Sequence, residues 1–184
     1  MNRLMIAVVL ILAASFSRLI PHPPNFTPLA AMALAGGVYL DRRFALLVPL
    51  LVLLLTDAIL GFHNLMVFVY GSFLAIGFLG LWLRKHKKPV IVFGSALASS
   101  VLFFIVTNFG VWAMDGATLY PKTLAGLMEC YTLAIPFFRN TVFGDLAYTA
   151  ILFGLFEFAQ RFIVVTETTV VKKDAGNSGS INKI

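Results

Sequence analysis

From Phe44 to Leu83 the chain carries one charged residue, Asp57, and from Pro89 to Met114 it carries none. A helix that crosses the roughly 30 Å hydrocarbon core of a bilayer needs about 20 mostly apolar residues, and these runs are of that length. Only 12% of the chain is charged, where a soluble domain averages about 25%, so no fully wetted surface can be built from it. The sequence therefore reads as an integral membrane protein.

Taken in order, apolar segments span Leu4 to Ile20, Leu29 to Leu40, Phe44 to Leu60, Leu65 to Leu83, Val90 to Trp112, and Arg139 to about Phe162. The expected fold is all-α: a polytopic bundle of about six transmembrane helices over residues 1–165. A polar tail over 166–184 is expected to be disordered. The first segment also has the marks of a signal peptide, with Arg3, an apolar core and Ala13-Ala14-Ser15. Apolar character continues through Phe16, Leu19 and Ile20, which favours a retained helix. Thr123 to Tyr131 is expected to form a short amphipathic helix at the membrane surface. The second segment is rich in Ala and Gly, which lets helix backbones approach closely in lipid.

Lys and Arg near helix ends stay in the cytoplasm. With Arg3 inside, Arg42-Arg43, the Arg84 to Lys88 cluster, Arg161 and Lys172-Lys173 all fall inside; Arg18, Lys122 and Arg139 fall outside. Both termini are then cytoplasmic, as in a bacterial inner-membrane protein. The net charge of +6 is accounted for by these flanks, with no need for a nucleic-acid partner. The single Cys130 excludes an internal disulfide and any multi-cysteine metal site.

Between the first two segments lies Ser17-Arg18-Leu19-Ile20-Pro21-His22-Pro23-Pro24-Asn25-Phe26-Thr27-Pro28. Its prolines fix φ and remove donors, so no helix runs through it. On the outer side Arg18, His22 and Asn25 join Asp57, Asn108, Arg139, Asn140, Asp145 and Tyr148. Ionisable groups within spans face a partner or a wet cavity. Ion pairs of Arg18 and Arg139 with Asp57 and Asp145 are the expected satisfaction. Such pairs could simply tie helix ends together, or the polar ends could surround a pocket for a small molecule. A metal held by His22 and His63 lacks a third defined ligand. No phosphate loop, zinc-protease helix or nucleophile elbow is present.

Arg18 to Pro28 with Ala30 to Gly37, Thr107 to Trp112, Tyr120 to Leu124, Phe137 to Asn140, and Gly144-Asp145 together resemble a family of small bacterial membrane proteins of unknown function. That family is described in terms of transport and is similar to the substrate-binding S components of energy-coupling factor (ECF) vitamin transporters. The resemblance implies a six-helix bundle whose outer loops close over a vitamin-like nutrient, with Leu19 to Thr27 as the gate. It implies no cofactor, and as partners a transmembrane coupling subunit and two cytoplasmic ATPases. The Ala-x-x-x-Ala docking pattern common on the first helix of S components is absent there; Ala31 and Ala35 on the second segment match it most nearly. Two other classes remain: a structural or assembly subunit with all polar ends paired internally, and a membrane enzyme using Asp57, Asp145 or His22 as acid or base.

Overall fold

The computed structural model describes residues 3–178. Within them the chain forms six helices and no strand: α1 (Arg3–Ser17), α2 (Leu29–Tyr39), α3 (Leu47–Leu60), α4 (Met66–Leu83), α5 (Pro89–Met114) and α6 (Leu124–Ser178). The all-helical fold expected from the apolar runs is present. The lengths differ from expectation. Three stretches are long and apolar enough to cross a membrane, namely α4, α5 and Leu124–Arg161 of α6, whereas Leu4–Ser17, Leu29–Tyr39 and Leu47–Leu60 are shorter.

The shortening has local causes. The proline connector ends α1 at Ser17, short of the expected Ile20, while α2 begins at Leu29 as expected. At Leu40 the backbone turns extended, with ψ 155°. Residues 42–46 form turns, so α3 begins only at Leu47 although the apolar run begins at Phe44.

The expected separation of a surface helix (Thr123 to Tyr131) from the last span is overturned. Helix α6 starts at Leu124 and runs on past Pro136 without a break. Pro136 forfeits one backbone hydrogen bond, but membrane helices tolerate this when side chains and neighbours satisfy the freed groups. The same helix reaches Ser178, so the stretch read as a disordered tail from residue 166 begins as helix. Residues 179–184 of that tail lie outside the described residues.

Helix α2 is the axis of the bundle. Every residue from Leu29 to Val38 is buried, and α1, α3, α4, α5 and α6 all pack on it. Its small residues make that possible. A Cβ on Gly37 would stand 2.5 Å from the Gly80 carbonyl carbon, and one on Gly80 would stand 2.6 Å from the Leu34 oxygen. The backbones of α2 and α4 therefore touch. At the far end of α2, Arg84 donates from Nε (3.1 Å) and Nη2 (2.8 Å) to the Gly37 oxygen, and from Nη2 to that of Leu40. A cation on the last carbonyls of a helix supplies the missing donors and opposes the dipole. Tyr39 donates to Glu157 Oε1 at 2.9 Å at the same end.

The outer helices turn large apolar residues away from this core. Leu55, Ile59, Phe78, Val101, Ile105, Ile151 and Phe158 are all exposed. A contiguous apolar exterior is the surface that lipid requires.

The α5–α6 turn is stiff. Asp115 accepts backbone N–H bonds from Leu119 (2.6 Å) and Tyr120 (2.9 Å). Led by the Tyr120 bond, these hold its carboxyl below the usual carboxylate range. Trp112 Nε1 donates to the Pro121 oxygen at 3.0 Å, and Lys122 donates back to the Trp112 carbonyl.

Candidate functional site

A cavity of about 400 Å³ opens where α1, α3 and α5 end and α2, α4 and α6 begin. This is within the usual size range of small-molecule sites, about 300–1,000 Å³. The connector contributes Arg18, Asn25 and Thr27, and the α3–α4 turn contributes His63. Helix α5 presents Phe103, Phe104, Thr107, Asn108 and Val111, and α6 presents Ala134, Phe137, Phe138, Thr141 and Asp145. Phe73 of α4 closes the wall.

Four of the nine residues expected at a site line this cavity: Arg18, Asn25, Asn108 and Asp145. The others stand behind it or apart. Asp57 is 1% exposed and forms an ion pair with Arg18, Oδ1 to Nη2, at 2.6 Å. Arg18 Nη1 donates to Thr56 Oγ1, and Tyr70 donates to Asp57 Oδ2 at 2.8 Å. Three helix ends are tied at this point.

Asn140 and Tyr148 hold the connector down onto α6. Asn140 Nδ2 donates to the Pro24 oxygen at 3.0 Å, and the Tyr148 ring packs on Phe26 at 5.6 Å between centroids. Gly144 lies under the same segment, where a Cβ would come within 3.2 Å of the Phe26 Cα. Asn25 takes φ 63° at the bend, a left-handed conformation that Asn accepts more readily than most residues. His22 bonds through Nδ1 to the neighbouring Pro23 oxygen at 2.9 Å and does not reach the cavity.

The expected Arg139–Asp145 pair does not form. Arg139 is exposed, and among the described residues the Arg18–Asp57 contact is the single ion pair. Helix geometry supplies the reason. Six residues at about 100° each leave positions 139 and 145 roughly 120° apart around α6. Asp145 is instead met by Ser100, whose hydroxyl donates to Oδ2 at 2.6 Å. Asp145 is 3% exposed.

Ser100 and the aromatic walls are not among the residues that the sequence singles out. A signal for them existed. On α5, residues 100, 103, 104, 107, 108 and 111 fall on one stripe at helical spacing, as do 134, 137, 138, 141 and 145 on α6. Each stripe combines aromatic with polar groups, which neither a lipid face nor a dry core needs.

Taken together, fold and site define a helical membrane protein with a partly open, mixed polar and aromatic cavity at one end. The profile of DUF6580, a family of unknown function, matches residues 1–168, and the chain belongs to that family. No curated protein and no solved structure matches it.

Proposed function

We propose that this chain is a membrane-embedded binding and transport subunit, not an enzyme, that captures a small polar, vitamin-like nutrient from the extracytoplasmic side. The observation that carries the reading is the cavity of about 400 Å³ among the helix ends, with Asp145 at 3% exposure in its wall. A purely structural subunit has no use for a ligand-sized void beside a buried carboxylate.

In this reading the chain crosses the cytoplasmic membrane of a bacterium six times, with both termini inside. The short helices α1, α2 and α3 complete their crossings through their connectors, with α2 enclosed by the other helices and α1 and α3 turning apolar residues such as Val9 and Leu55 outward. The basic residues support the orientation. Arg42, Arg43 and the Arg84 to Lys88 cluster lie at the end away from the cavity, as the positive-inside preference requires. The connector from Leu19 to Thr27 acts as the gate, hinged at Asn25 and latched by Asn140 and Tyr148. The resemblance to S components of ECF transporters implies a coupling subunit and two ATPases as partners, although the Ala-x-x-x-Ala docking pattern is absent from the first helix; the sequence shows no nucleotide-binding motif.

A thermal-shift screen of detergent-purified protein against vitamins and their precursors tests the proposal. A ligand at about a hundred times its Kd adds roughly 2.7 kcal/mol of stability. The expected result is a stabilising compound whose effect disappears in Ala134→Phe, which fills the cavity from α6. A stabilising compound that is indifferent to Ala134→Phe would locate binding elsewhere and overturn the proposal.

A further inference from the structure

We infer that the cavity selects an organic cation: a planar or aromatic molecule bearing an ammonium, amidinium or protonated amino-heterocycle group. The inference rests on the binding-site reading above and deepens it. Its basis is a count of which hydrogen-bonding capacity the protein has already used.

Arg18 is the strongest donor in the lining, and it is committed. Its two terminal nitrogens serve Asp57 and Thr56, so its charge is neutralised before any ligand arrives. An anionic group entering the cavity would meet a guanidinium whose strongest bidentate edge is occupied.

On the α5 and α6 walls, the polar groups turn protons back onto their own helices. Thr107 donates to the Phe103 oxygen at 2.7 Å, and Thr141 donates to the Phe137 oxygen at 3.0 Å. Each hydroxyl then faces the cavity with lone pairs only. Asn108 turns one of its two Nδ2 protons onto the Phe104 oxygen at 2.8 Å, and among the described residues no donor meets its Oδ1. Asp145 receives Ser100 on Oδ2, and no described donor or cation reaches its Oδ1. The α5 and α6 walls thus offer mainly acceptors, grouped around the Asp145 carboxyl group, which no cation of the described residues meets. A carboxylate buried here calls for a partner of opposite sign, and among the described residues none is supplied.

The apolar side suits the same ligand. Phe104 and Phe138 lie 4.7 Å apart between centroids, and Phe73 and Phe103 lie 5.2 Å apart. Aromatic faces stack on a flat ring and attract a cation electrostatically.

The test uses three probes of one skeleton and three charges: benzamidinium, benzamide and benzoate, titrated calorimetrically into the detergent-purified full chain. Benzamidinium is expected to bind at least about tenfold more tightly than benzamide, the scale of one charge-assisted hydrogen bond, with benzoate weakest. Asp145→Asn keeps the shape and an acceptor for Ser100, and it should erase the preference for the cation. Thr141→Val should weaken benzamidinium several-fold while leaving Asp145 intact, which keeps the question answerable if the Asp145 variant does not fold. Equal affinity across the series, tightest binding of benzoate, or a cation preference that survives Asp145→Asn would each overturn the inference. If benzamide or benzoate binds as tightly as the cation and is lost in Ala134→Phe, the cavity stands as a binding site and the charge assignment fails. No binding by any of the three probes counts against both.

Discussion

Asp57 sits 1% exposed between Arg18 and the Tyr70 hydroxyl, while Asp145, 3% exposed, has a single serine for a side-chain partner among the described residues. The two carboxylates carry the same cost of burial and meet it differently, which separates structure from site at the level of single residues. Removing one member of a buried ion pair costs about 3–5 kcal/mol, because the other charge is stranded. Arg18 retains 13% exposure, so Asp57→Ala is expected near the lower end, about 3 kcal/mol. The double variant Arg18→Met with Asp57→Leu should regain most of that loss, as a well-packed apolar pair often does. Thermal unfolding of the parent and the two variants in one detergent measures it. A double variant no more stable than Asp57→Ala would contradict the assignment of Asp57 to bundle stability. The importance of both aspartates was legible in the sequence, because charges inside apolar runs are conspicuous. Their partners were not, since pairing depends on rotation about helix axes: Asp145 meets Ser100 across α5, on the face that Arg139 does not share.

At the scale of elements, α2 decides the architecture. An 11-residue helix rises only about 16 Å, too little to cross a bilayer alone, yet it is enclosed on every side. Its Ala and Gly content announced close packing, but the sequence could not say that the packing would be all round, because a uniformly apolar helix has no periodicity to read. Gly37 is where α2 and α4 meet backbone to backbone. Gly37→Ala is expected to destabilise the protein by about 2 kcal/mol, in the range for overpacking. Gly94 on α5 has no atom within 4 Å of an added Cβ, and Gly94→Ala should be neutral or slightly stabilising through helix propensity. Matched melting curves compare the two. Equal effects would mean that α2 and α4 do not touch at Gly37. The unbroken α6 is the other lesson at this scale. Pro136 and the polar residues before it suggested two elements, but continuous burial along one face outweighs a single missing hydrogen bond.

The whole molecule has two dissimilar ends. One gathers Arg18, Asn25, His63, Asn108 and Asp145 around a cavity; the other holds Arg84 on the α2 carbonyls, with Lys85, Lys87 and Lys88 beside it. That polarity was legible from the basic residues and the proline connector, whereas the cavity itself depended on the facing stripes of α5 and α6. The central claim is that the cavity end faces outward and admits a solute. Labelling of single cysteines with a membrane-impermeant maleimide in intact cells, in a Cys130→Ser background, tests it most directly. His63→Cys, exposed at the cavity mouth, should react from outside and be slowed by a compound that stabilises the purified protein. Lys85→Cys should react only after the membrane is permeabilised. Labelling of Lys85→Cys in intact cells, with His63→Cys protected until lysis, would invert the topology and contradict capture from the outer side.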